Sequence, residues 1–212
     1  REHAPGFAAR LGIVLGSGAL LAVLASRVLL RVGTRALDPI LPLFVQSLLP
    51  ARAHLGTTTG VISAVAALGS AVGSLLIGGW SDHQGRRRLL LLSAAAAGLL
   101  YVPQAFVGDV RWLIALQLAS GFAVGGTLST VTALLTQASP RGHEGIIFGL
   151  DASAMSGANA IGPVLGAAAA AQAGLRAPFI LAAVMFAIGI MTVLFWVCDA
   201  EPLPAGVVEG GE

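Results

Sequence analysis

The chain has 212 residues, of which 56% are hydrophobic and only 10% charged, where soluble domains carry roughly 25% charged residues. Composition therefore excludes an ordinary soluble globular domain and points to a lipid environment. The formal charge of +2 comes from arginine with no lysine at all, gathered at particular loops, so it reads as membrane topology and not as a nucleic-acid surface.

A helix needs about 20 mostly apolar residues to cross a bilayer. Polar interruptions near 50–56, 81–88, 107–112, 138–145 and 172–177 cut the chain into six such pieces. The alternating strands of an outer-membrane barrel are absent, so the expected fold is all-α, a bundle of six transmembrane helices in one domain. The predicted spans are 18–48, 57–80, 89–107, 111–136, 146–171 and 177–198. The first is centred on 18–48 because the purely apolar part, 11–26, is too short to cross alone. The end, "DAEPLPAGVVEGGE" (199–212), is acidic and rich in Gly and Pro and reads as a disordered tail. A lone cysteine, Cys198, makes no internal disulfide. The chain begins at Arg1 with no visible signal peptide, and it is expected to be part of a longer one.

Arginines set the expected orientation. Arg86, Arg87, Arg88 and Arg141 fall on the same side as Arg1 and Arg10, while Arg52, Arg111 and Arg176 fall on the other. The positive-inside rule makes the first side cytoplasmic, with both ends of the segment on it, in the cell membrane.

Charge also appears where lipid would penalise it. Arg27, Arg31, Arg35 and Asp38 share one face of the first span, an arc of ~80° at 100° per residue. Such a face should line water, substrate or a partner acid. The alternative for Arg27 is a side chain snorkelling to the surface, whereas Arg35 and Asp38 are placed to pair across one turn. In the fifth span Asp151, Met155 and Asn159 form a second polar stripe. Asp151 reads equally as a solvated cap near Glu144 and Gly145 or as a cavity acid. In the fourth span Gln117, Ser120 and Thr127 share a side, suited to binding a ligand or to tying helices together.

Small residues recur at four-residue spacing: Gly69 and Gly73, Ser70, Ser74 and Gly78, Gly121 and Gly125, Gly162 and Gly166. This spacing lets helices approach closely in lipid. Pro163 lacks an amide proton and is expected to kink its helix.

The densest charge lies in "GGWSDHQGRRRLLLL" (78–92), where Gly78, Asp82, Gly85, Arg86 and Arg87 form G-x-x-x-D-x-x-G-R-R. Gly85 permits a tight turn, Asp82 can accept from a neighbouring helix N-terminus, and the arginines are expected at the headgroups. This loop resembles the signature between the second and third helices of each half of major facilitator superfamily transporters, with His83 in place of the usual Arg or Lys. "GLDASAMSGANAIGPVLGAAAA" (149–170) resembles the glycine-proline motif of drug:proton antiporters in that superfamily. Gly149, Gly162, Pro163 and Gly166 stand at its positions, and Ala158 and Ala167 replace glycines. In "LIALQLASGFAVGG" (113–126), Gln117 stands where the amino-terminal half of these antiporters carries a buried arginine. The chain is therefore similar to the carboxy-terminal half, helices seven to twelve, itself a 3+3 repeat.

The resemblance implies proton-coupled efflux of drugs or other small molecules. It also implies a partner half of six helices and a midplane cavity between the halves. Gly78, Asp82, Gly85, Arg86 and Arg87 would form a cytoplasmic gate, and Arg31, Arg35, Asp38, Gln117, Asp151 and Asn159 are the candidates for substrate or proton contact. Two alternatives stay open: a carrier for an anionic metabolite or sugar, suggested by the excess of arginine, and a non-transporting membrane scaffold. No cofactor, metal or nucleic acid is expected. His3, His54, His83 and His143 all lie in loops or the tail, and neither H-E-x-x-H nor a phosphate-cradling G-x-x-x-x-G-K-[ST] occurs. "SAMSG" (153–157) has no membrane histidine to activate Ser156, so an enzyme is not expected.

Overall fold

A computed structural model of the chain describes residues 18–49, 54–138 and 144–196. These form seven helices and no strand: α1 Gly18–Arg35, α2 Leu41–Leu48, α3 Leu55–Gln84, α4 Arg86–Phe106, α5 Val110–Ala138, α6 Glu144–Ala173 and α7 Ala177–Trp196. Arg1, Arg10, Arg52, Arg141, His3, His143, Cys198 and the tail expected at 199–212 lie outside the described residues. Five stretches are long and apolar enough to cross a bilayer: Leu55–Trp80, Arg86–Phe106, Val110–Gln137, Gly145–Ala173 and Ala177–Phe195.

The first span departs from expectation. A single helix over 18–48 is replaced by α1 and α2, separated by turns over residues 36–40. The cause is Pro39, which disfavours helical geometry at Asp38 and donates no hydrogen bond of its own. The backbone crosses the break with tighter bonds, Asp38 N–H to the Arg35 carbonyl at 3.3 Å and Ile40 N–H to the Leu37 carbonyl at 3.1 Å. Pro42 then sits in the first turn of α2, where a missing N–H costs nothing. α1 alone rises about 27 Å at 1.5 Å per residue, and with its three arginines it is not among the five apolar spans.

The helices pack in a repeating pattern. α3 packs on α5 and α1 on α6; α5 also packs on α4, α1 on α7, and α4 on α7. Exchanging α1 with α5, α3 with α6 and α4 with α7 maps this set of neighbours onto itself. Three helices followed by three related ones would produce that exchange.

Two seams carry the closest approaches. Between α3 and α5, glycines on both helices face the partner backbone: a Cβ on Gly69 or Gly73 would run into the carbonyls of Leu118 or Phe122, and one on Gly121 or Gly125 into those of Ala66 or Ser70. Between α1 and α6, the glycines are on α6 only. A Cβ on Gly162 would stand 2.6 Å from the Arg35 Cβ, and one on Gly166 would collide with the Ala36 carbonyl. Small residues are what allow helices to associate where lipid is as apolar as the side chains. Gly149 faces open space and takes no part in either seam. α6 runs as one helix through Pro163, which leaves the carbonyl of Asn159 without its usual donor.

The interior is filled by Leu20, Ile62, Leu90, Leu113, Leu135, Ile147, Phe179 and Phe186. Phe44 of α2 meets Phe179 at 5.0 Å between ring centroids, and Tyr101 of α4 meets Phe186 edge-on at 5.5 Å. α3 and α6 are the least buried of the five apolar spans. Leu68, Leu75 and Leu76 on α3 and Ile161, Val164 and Leu165 on α6 are exposed.

Candidate functional site

The α1–α6 seam is where charge enters the bundle. Arg27, Arg31 and Arg35 recur every four residues on α1 and meet Asp151 and Asn159, two turns apart on α6. Arg27 Nε stands 3.1 Å from Asp151 Oδ1, with only 14% and 9% of the two side chains exposed. The N–H is not aimed along that line, so neither atom gains a hydrogen bond from it, and the contact is a close ion pair. Arg27 Nη1 also donates to Thr132 Oγ1 of α5 at 3.2 Å, which ties three helices together.

Further along, Arg31 Nε donates to Asn159 Oδ1 at 2.8 Å, and Arg35 Nε donates to the same oxygen at 3.1 Å. Arg35 Nη1 reaches Asp38 Oδ2 at 2.8 Å, the pairing expected across one turn. Asp38 holds it from the turn beyond α1, with about half of its side chain exposed.

These contacts decide two open readings. Asp151 is buried, 6% exposed, and faces Arg27; it is not a solvated helix cap. Arg27 turns inward to that acid and to Thr132 instead of snorkelling to the surface. Pairing between positions 27 and 151 depends on the tertiary fold, and its one local signal was the spacing of Arg27 with Arg31 and Arg35.

Beside the charged seam lies a cavity of about 260 Å³. Arg27, Arg31, Thr34 and Thr127 are its polar walls, and Leu30, Val124, Leu128, Val131, Met155 and Phe186 its apolar ones. Both threonine hydroxyls are engaged, Thr34 donating to the Arg31 carbonyl at 2.9 Å and Thr127 to the Ala123 carbonyl at 2.8 Å. Met155 and Phe186 are contributed by α6 and α7, so residues of four helices line the space. A second hollow of about 420 Å³ lies by Phe44, Ser47, Gly174 and Arg176, away from the charged seam. Among the described residues no cluster of three His, Cys, Asp or Glu could hold a metal.

Gln117 is buried but does not line this cavity. Its neighbour Ser120 donates back to the Gln117 carbonyl at 3.3 Å. Thr127 meets Ser93 of α4 at 3.1 Å between hydroxyl oxygens, joining helices. Of the three fourth-span polar residues, only Thr127 reaches the cavity.

The G-x-x-x-D-x-x-G-R-R loop is shorter than a loop. Gly85 alone separates α3 from α4, at φ 87°, a left-handed value that side chains with a Cβ rarely adopt. Gly78 lies beside Ser129 of α5. Arg86 Nη1 donates to the Ala133 carbonyl at 3.4 Å and to Gln137 Oε1 at 3.3 Å. Arg87 Nη2 donates to the Leu194 carbonyl at 3.3 Å, one of the last carbonyls of α7, which has no intrahelical donor. Both arginines thus hold the ends of α5 and α7, where headgroup contact was expected; a guanidinium there also suits the negative end of a helix dipole. The Asp82 backbone belongs to α3, and its side chain lies outside the described residues.

Residues 23–212 match the family described as the Major Facilitator Superfamily. The multidrug resistance protein MdtG of Yersinia enterocolitica is 28% identical over 186 residues, 88% of this chain and 45% of that protein. The uncharacterized MFS-type transporter YuxJ of Bacillus subtilis is 27% identical, over 84% of this chain and 45% of its own length. A multi-drug resistance efflux pump PmrA homolog of Lactococcus lactis is 28% identical, over 79% of this chain and 42% of its own. The chain spans less than half the length of these curated relatives.

Proposed function

The chain belongs to the Major Facilitator Superfamily, and on that premise we propose that it forms one six-helix half of a multi-pass cell-membrane transporter that expels drugs or other small molecules in exchange for protons. The observation that carries this reading is the cavity of about 260 Å³ open on one side of the bundle, apolar except for its arginines and threonines. Small-molecule sites are mostly apolar hollows with a few placed polar groups. The first span is then the broken pair α1 and α2, which brings the number of spans to six, in keeping with the discontinuous helices that line transporter cavities.

The other half supplies the missing wall. The exposed apolar faces of α3 and α6 suit lipid or a second six-helix unit, and the exchange symmetry of helix neighbours supports a 3+3 repeat. With Arg86, Arg87 and Arg88 on the cytoplasmic side, both ends of the segment face the cytoplasm. The grip of Arg86 and Arg87 on α5 and α7 would stabilise one of the two access states, and losing it would shift their populations. Asp82 joins that latch in this reading. Asp151 is the proposed proton-coupling acid: it is buried, and it faces an arginine it does not hydrogen-bond.

The test uses the complete reading frame in everted membrane vesicles, following accumulation of ethidium and of radiolabelled 2-naphthoate with and without a proton gradient. Gradient-driven accumulation of either compound, lost in Asp151→Asn, is the expected result. Correctly inserted protein that moves neither would overturn the transport reading; gradient-driven movement that survives Asp151→Asn would remove Asp151 from the coupling.

A further inference from the structure

We propose that Arg31 is the anion-binding end of a subsite for small organic monoanions with an apolar body, such as aromatic or short aliphatic carboxylates. The proposal rests on the transport-cavity reading and names the class of molecule the cavity takes.

It starts from a charge imbalance. Three arginines on one face of α1 meet two carboxylates: Asp151 answers Arg27 at 3.1 Å, and Asp38 answers Arg35 at 2.8 Å. Arg31 receives only a neutral amide oxygen, that of Asn159, and Arg35 shares it. Among the described residues no carboxylate pairs with Arg31, and its only side-chain hydrogen bond uses Nε. The two terminal nitrogens, the fork that fits a carboxylate with two parallel bonds, remain for a ligand.

That guanidinium opens on the cavity. A charged side chain at membrane depth is tolerated where it faces an acid or a water-filled cavity, and a bound anion supplies the paired carboxylate that Arg31 lacks.

The rest of the wall defines the remainder of the ligand. Thr34 and Thr127 have already donated their hydroxyl protons to backbone carbonyls, so neither strengthens a contact with an anion. Leu30, Val124, Leu128, Met155 and Phe186 offer only apolar surface. A sugar phosphate would bury hydroxyls without partners and bring a second negative charge with no second free guanidinium, both costly. A cation would meet the like charge of Arg31. A single carboxylate or sulfonate on an apolar body satisfies both parts of the wall. At 260 Å³ the hollow is slightly below the usual ligand-site range of about 300–1,000 Å³, as befits a subsite completed from across the cavity.

The experiment is equilibrium binding of 2-naphthoate and of its cationic counterpart 2-naphthylmethylammonium to the purified full-length protein. The expected result is at least ten-fold tighter binding of the anion, reduced ten-fold or more in Arg31→Gln and largely retained in Arg31→Lys. Asn159→Asp supplies an independent reading, because a carboxylate placed against Arg31 in the same volume should expel the anion with the arginine still present. Equal binding of the two probes, or wild-type affinity for 2-naphthoate in Asn159→Asp, would overturn the proposal. Should Arg31→Gln fail to fold, Asn159→Asp decides alone. Binding is read without any gradient, so a protein that binds the anion but moves nothing in vesicles loses the transport reading and keeps the site.

Discussion

The α3–α5 seam and the α1–α6 seam occupy equivalent places in the exchange pattern of the bundle, yet they are built differently. The first has glycine on both sides: Gly69 and Gly73 lie against the backbone of Leu118 and Phe122, and Gly121 and Gly125 against that of Ala66 and Ser70. The second keeps glycine on one side only, and α1 meets Gly162 and Gly166 with Arg35 and Ala36. Where both helices are bare, nothing but packing is possible. Where one helix carries long cationic side chains, the seam gains a charged face and a cavity, and α1 ends in a break at residues 36–40. The same relation between helices thus gives plain packing in one seam and a charged face beside a cavity in the other.

The comparison predicts its own failures. The largest effect should come from opening the charged seam: Arg27→Gln or Asp151→Asn strands one partner of a buried pair, which typically costs about 3–5 kcal/mol. Replacing both, as Arg27→Met with Asp151→Leu, should recover most of that loss in a thermal-unfolding series on the full-length protein in detergent. A double variant that loses the sum of the two single losses would show that the pair contributes no coupling. Next in size, Gly125→Ala forces a methyl onto the Ser70 carbonyl between two continuous helices, at the upper end of the 1–3 kcal/mol typical of overpacking, about 3 kcal/mol. Gly166→Ala presses on Ala36, next to the break, where the backbone has room to yield; about 1 kcal/mol is expected. If Gly166→Ala proves as damaging as Gly125→Ala in the same melts, the two seams are equally rigid and the contrast drawn between them is wrong. Asp38→Asn should cost no more than about 1 kcal/mol, because the Arg35–Asp38 pair is exposed to the extent of 38% and 52% and such pairs are worth little. Smallest and opposite in sign, Gly149→Ala fills open space inside a helix and should leave stability unchanged or raise it by up to about 1 kcal/mol.

The apolar helices were legible because hydropathy is a local property: every residue from Leu55 to Trp80 contributes to the same average. The bend in the first span was only half legible. Pro39 and Pro42 disfavour a continuous helix, but whether the chain bends or stops depends on what α2 packs against, here Phe179 of α7. The stripe of Arg27, Arg31 and Arg35 could be read from spacing, and so could the Arg35–Asp38 pair, since both lie within one turn or a multiple of it. The partners Asp151, Asn159 and Thr132 were hidden by sequence separations of more than a hundred residues. Gln117 shows the opposite error. Its polarity suggested a ligand contact, but the cavity opens beside Thr127, farther along α5. A helical wheel gives the side on which a residue lies without saying at which height the neighbouring helices part.

The one-residue connection at Gly85 bears on how the protein is made. With no slack loop between them, α3 and α4 are expected to enter the bilayer as one hairpin. That hairpin has little side-to-side contact of its own, whereas α5 packs firmly on both of its arms. The two arms are therefore joined at the tip by Gly85 and held together along their length mainly by α5. A residue with a side chain at position 85 would be felt first in membrane insertion, before any question of transport arises.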